Sequence, residues 1–168
     1  MKRKRHRPIE WFRAIPPRRY LAILGLAFSF LFIGLGLAPK ERSAWALENG
    51  TAIVFVIAVA LFHKRLLLSR LSYTLIFVFL CLHEIGAHYT YARVPYDDWF
   101  QWLLGHRLNE LLGWKRNHFD RFVHFLYGLL LAYPIREIFL RVGNVRGFWG
   151  YFLPLDLTMS TSMLFEFL

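Results

Sequence analysis

Residues 71–92 read LSYTLIFVFLCLHEIGAHYTYA. The stretch opens with twelve uncharged residues and lacks the apolar–polar alternation of a half-buried strand, so it reads as a continuous helix. At about 1.5 Å per residue, a run of this length crosses the roughly 30 Å of a bilayer's hydrocarbon core. Within it stands a short polar run, His83-Glu84-Ile85-Gly86-Ala87-His88, and a second follows downstream, His118-Phe119-Asp120-Arg121-Phe122-Val123-His124. Each holds a carboxylate and a histidine four apart, Glu84/His88 and Asp120/His124. Four residues turn a helix by about 400°, so each pair projects from one face. Ionisable groups inside a membrane are costly and by default mark function.

Composition agrees with a membrane class. Hydrophobic residues make up 57% of the 168, aromatics 18%, and the mean hydropathy is +0.36. An ordinary soluble domain sits nearer half apolar. The formal net charge is +10, which in a soluble protein would point to nucleic acid. Here Lys and Arg avoid the apolar runs and collect between them, so the expected partner is a lipid bilayer and not nucleic acid. Cys81 is the single cysteine and excludes an intrachain disulfide.

Four further runs complete the expected bundle. Tyr20–Ala38 is uncharged over nineteen residues and follows a basic head, Met1 to Arg7, and the stop Pro16-Pro17-Arg18-Arg19. Its length and the poor cleavage site at Pro39-Lys40-Glu41 favour an uncleaved span over a signal peptide. A second span covers about Ala46–Phe62, a fourth about Asp120–Leu140 interrupted by Pro134, and a fifth Gly147–Phe165 with one charge, Asp156. The expected fold is all-α: a polytopic bundle of about five transmembrane helices. Residues 1–19 form a basic cytoplasmic segment and 20–168 a single transmembrane helical domain.

The positive-inside rule orients it. With the N-terminus in the cytoplasm, inner segments hold fourteen Lys and Arg and outer segments seven. Both polar runs then lie near the outer face, with Glu166 at the same level and Asp156 deeper. Between them, Tyr89–Phe119 carries Trp99, Trp102, Trp114 and several leucines against a polar stripe of Asp98, Gln101, Gly105 and Asn109. It reads as an amphipathic helix on the outer interface, either an anchor or a lid over the polar site.

His83-Glu84-x-x-x-His88 resembles the zinc-protease pattern HExxH with one residue too many. Its histidines diverge by about 140° and cannot share one metal on a regular helix. The two carboxylate–histidine pairs, with Glu166 from a third helix, could instead hold a divalent metal whose bound water is a nucleophile. The same residues suit a metal-free proton relay, or simple packing. Arg121 is placed to neutralise Asp120 or to reach a lipid phosphate. His63 belongs to the basic inner loop, His106 reads as solvated, and Arg136 with Glu137 reads as an interfacial pair.

The strings LHEIGAHYTYARVPY and RNHFDRFVHFLYGLLLAYPIRE resemble the YjdF-type family of bacterial inner-membrane proteins, a family without an established function. The stretch DRFVHF is also similar to the D-K-x-x-H-F motif of VanZ-like membrane proteins. The first resemblance implies a multi-pass protein of a bacterial cytoplasmic membrane, with motif positions at His83, Glu84, His88, His118, Asp120, Arg121, His124 and Glu166. It also implies a chain that continues past Glu166 into an acidic stretch and a last helix, so an end at Leu168 reads as either a truncated version or a sequence with a piece missing. We assign Glu84, Asp120 and Arg121 to the chemistry and His83, His88, His118, His124 and Glu166 to the candidate metal ligands. The expected activity is a metal-dependent hydrolase or transferase acting on a lipid or envelope substrate. A small proton-coupled transporter and a non-catalytic scaffold are the alternatives.

Overall fold

A computed structural model describes residues 14, 16, 18–66 and 68–166, with the side chains of 165 and 166 excepted. The basic head at 1–13 and the side chain of Glu166 therefore lie outside the described residues. Every regular element described is helical: α1 (Arg18–Gly36), α2 (Arg42–Leu66), α3 (Arg70–His88), α4 (Tyr96–Leu104), α5 (Leu108–Leu112), α6 (Phe119–Arg141) and α7 (Trp149–Glu166). This is the polytopic all-α bundle that the continuous apolar runs require, because in lipid a helix satisfies its own backbone. Four helices, α1, α2, α3 and α6, are long and apolar enough to cross a membrane. The fifth expected span, α7, packs along α6 but does not join those four among the described residues.

Helix α3 is the centre. It packs against α1, α2 and α6, while α7 packs against α6. The order of contacts fixes an up-and-down arrangement. Tyr20 and Thr74 hydroxyls meet at 2.5 Å at one end of α1 and α3, and Leu35 meets His88 at the other. Phe79 meets Tyr127 edge-on where α3 and α6 pass antiparallel. Leu68, Tyr73, Ile76, Leu80 and Leu131 form the main buried cluster. The outward faces stay apolar: Phe30 is 78% exposed and Leu61 73%. On this bundle such surface faces lipid, not water.

At the end opposite the polar runs, Ser69 caps α3 by accepting from the Ser72 amide. Glu137 docks onto this cap. Its carboxylate accepts from the Ser69 amide at 2.8 Å and the Ser72 hydroxyl at 2.5 Å, and pairs with Arg141 at 2.7 Å. Arg136 instead lies over the Tyr151 ring, 4.1 Å from its centre. The expected Arg136–Glu137 pair does not form, because adjacent helical residues point about 100° apart.

Two expected elements change shape. The interfacial segment is not one helix but two, broken at Gly105, whose φ of +78° caps α4 in the left-handed region. Trp102 is 84% exposed and the flanking Leu103 and Leu104 are exposed with it, so this segment presents its apolar face outward rather than over the bundle. Helix α6 runs unbroken through Pro134, which is buried inside it.

Candidate functional site

The third helix stops at His88, four residues short of the expected Ala92, because the chain reverses at Thr90 and Tyr91. Both adopt positive φ, +58° and +49°. Left-handed backbone is uncommon for residues with a Cβ, and more so for a β-branched threonine. Such strain persists only where the surroundings enforce it, and it gathers at functional sites. Here the reversal folds Tyr91 back along α3. Its amide donates to the Gly86 carbonyl at 2.7 Å, and its ring covers Gly86 so closely that a Cβ there would collide with it.

This return brings the Tyr91 hydroxyl to His83 Nδ1 at 2.6 Å. His83 is 5% exposed and also approaches the backbone of Glu48. Burial pushes the Tyr91 hydroxyl's pKa upward, and the carboxylates of Glu48, Asp120 and Glu84 push it further in the same direction. Three carboxylates from three helices thus converge electrostatically on one phenol.

Glu84 and His88 share a face but do not pair. Glu84 is fully buried and its Oε1 accepts from the Trp45 indole of α2 at 2.8 Å, with Asn49 alongside. His88 Nδ1 reaches the Leu35 carbonyl of α1 at 2.8 Å. His83 and His88 point to different helices, as their five-residue spacing requires. Asp120 and His124 do pair, Oδ1 to Nε2 at 3.4 Å. The other ring nitrogen of His124 lies 3.1 Å from the Ser162 hydroxyl of α7.

His118 and Arg121 stay outside this arrangement. His118 precedes α6, stacks near Trp114 with ring centres 4.6 Å apart, and meets Arg121 Nη1 at 3.5 Å. Partial desolvation, then Arg121 and Arg116, hold its pKa below the ordinary histidine value. Arg121 is exposed and directed to His118, not to Asp120.

Between α2, α3, α6 and α7 lies a cavity of about 310 Å³. Its wall is largely apolar, from Ala52, Phe55, Phe79, Leu80, Val123 and Leu131. Its polar groups are His83, Tyr91, His124, Tyr127, Thr51, Thr161 and Ser162. Glu48 of α2 lies within electrostatic reach of Asp120 and His124. Among the described residues, no three His, Cys, Asp or Glu side chains gather as a metal-holding group.

Spacing within one helix does not single out Glu48, Tyr91, Trp45 or Ser162. One signal for Glu48 was available: it is a lone carboxylate beside an apolar run. Ser162 carried none, since a serine in a membrane helix is ordinary.

Residues 20–168 match the family model described as "Predicted membrane protein (DUF2238)". The chain belongs to this family. It is also 34% identical over 122 residues to the inner membrane protein YjdF of Escherichia coli strain K12, a match covering 73% of this chain and 54% of that protein. The chain thus spans about half the length of that curated relative. No solved structure matches it significantly. The DUF2238 assignment and the four apolar helices make this a multi-pass inner-membrane protein. The comparisons lend no support to a VanZ-like relationship, so DRFVHF stands as an isolated string.

Proposed function

We propose that this DUF2238 protein is a lipid-processing hydrolase or transferase whose cavity holds the apolar chain of an amphiphile, with the scissile or transferred group at the carboxylate–histidine end. One observation carries the reading. The cavity is apolar along most of its wall, and its polar lining includes His83, His124 and Tyr91, which stand against Glu48 and Asp120. Ligand sites are built in this way, with a greasy wall and a few placed polar groups. A packing cluster would gain only about 0.6 kcal/mol per polar pair, which is little return for so many ionisable groups at one level.

Within this reading, His124 exchanges protons with the substrate, Asp120 orients its ring, and Glu84 fixes the end of α3 through Trp45. The described donors suit acid–base work. The positive-inside count supports placing the site toward the outer leaflet with the N-terminus in the cytoplasm. A carrier would need a polar path through the rest of the bundle. Asp156, the one carboxylate expected to extend it, is exposed on α7.

The test is amphiphile binding by the full chain in nanodiscs, read with a fluorescent single-chain lipid. Saturable binding that Ala52→Trp abolishes supports the reading, because Ala52 lines the cavity. Equal binding by native and Ala52→Trp protein overturns it.

A further inference from the structure

We infer that Ser162 is a nucleophile activated by His124 and Asp120, which makes the site a serine-type acyl hydrolase or acyltransferase. The inference rests on the amphiphile reading above and names its chemistry. Asp120 Oδ1 lies 3.4 Å from His124 Nε2, an ion-pair distance, and Nδ1 of the same ring lies 3.1 Å from the Ser162 Oγ. An ionised carboxylate can only accept, so it selects the tautomer with the proton on Nε2. That leaves the Nδ1 lone pair facing Ser162, where it accepts the hydroxyl proton. A serine, a base and a group that orients the base form the constellation of nucleophilic acyl transfer, recognised by geometry and not by sequence order. Nδ1 is thus the base nitrogen, with Nε2 turned to the orienting carboxylate.

Location separates this from incidental packing. His124 and Ser162 both line the cavity, so an ester whose chain fills it comes within reach of Oγ. The neighbouring Thr161 is already engaged: its hydroxyl donates to Leu157 O at 2.7 Å and meets the Tyr127 hydroxyl at 2.7 Å. Ser162, by contrast, has the His124 ring nitrogen as its partner.

The step balances without a redox partner. Ser162 Oγ bonds to the acyl carbon as its proton passes to His124 Nδ1. The ester C–O bond then breaks, and His124 returns that proton to the departing alcohol oxygen. Water attacks the acyl-serine, His124 accepts its proton, and the acid leaves as Oγ regains a hydrogen. If a second alcohol replaces water, the outcome is transfer.

An alkyl-chain fluorophosphonate tests this on the full chain in nanodiscs, with the adduct located by peptide mass spectrometry and single-chain lipid binding measured in parallel. The expected result is one adduct on Ser162, absent in Ser162→Ala, and labelling slowed about 100-fold or more in His124→Gln. Ser162→Ala should still bind the lipid and melt like the native protein, which a purely structural role of the catalytic groups would not separate from labelling. Native protein that binds lipid but takes no label overturns the nucleophile and leaves the cavity reading standing. A label that persists in Ser162→Ala overturns the assignment as well. Loss of both binding and labelling in native protein overturns the two readings together.

Discussion

The ring of Tyr91 occupies the space that a Cβ on Gly86 would need. Gly86 is thus the residue that lets the strained turn at Thr90 and Tyr91 close onto α3. Gly86→Ala should push the ring away and break its bond to His83, at a cost of about 1–3 kcal/mol. Thermal unfolding in detergent measures this. Tyr91→Phe, which keeps the ring and loses only the hydroxyl, should cost about 1 kcal/mol. A native-like melting temperature in Gly86→Ala would show that Tyr91 does not need that space.

The same tyrosine sets an alkaline limit. Its folded pKa is raised by burial and by the nearby carboxylates above the ordinary value of 10.0. Below that value both folded and unfolded chains keep the proton, and its contribution to stability is fully present. Above it the unfolded chain ionises first, so stability falls as pH rises toward the folded value. Melting temperatures measured between pH 9 and pH 11 should therefore drop less steeply in Tyr91→Phe than in native protein. Parallel slopes would contradict the burial of the phenol among carboxylates.

At the opposite end, Glu137 should hold α3 to α6. Ser69 and Ser72 are completely buried, and the carboxylate accepts from both. Removing it strands two buried donors, each costing about 1–3 kcal/mol, so Glu137→Ala should lose about 2–6 kcal/mol. Ser72→Ala alone should lose about 1 kcal/mol, and the double variant less than the sum, because both changes break one bond. Strict additivity in chemical unfolding would mean that the Ser72–Glu137 bond contributes nothing.

How far the sequence reaches is clearest at these residues. Uninterrupted apolar runs, punctuated by Lys and Arg, define the helices because lipid permits so few alternatives. A four-residue spacing correctly anticipates that Asp120 meets His124, since that contact is made within one helix. The identical spacing of Glu84 and His88 misleads. Their partners, Trp45 and the Leu35 carbonyl, come from other helices and set a stronger local demand than the i,i+4 neighbour. Helical spacing says which residues share a face but not what that face meets. Ser162 and Glu48 join the site only through packing between helices, and the turn that delivers Tyr91 depends on left-handed residues that are neither glycine nor asparagine.

The Glu84–Trp45 bond is the strictest test of the arrangement around α3. Glu84 is fully buried and its Oε1 accepts from the indole at 2.8 Å. Trp45→Phe preserves most of the packing and removes only the donor, leaving the carboxylate oxygen without it at a cost of about 1–3 kcal/mol. In a Glu84→Gln background the same change should cost less, because a neutral amide oxygen is cheaper to leave without a partner than a carboxylate. The two changes should therefore couple by about 1 kcal/mol, within the range found for polar pairs in membrane helices. A double-mutant cycle by steric-trapping or detergent unfolding measures this coupling. If Trp45→Phe costs the same in both backgrounds, Glu84 does not depend on the indole, and the helix end must be held by Asn49 and His88 instead.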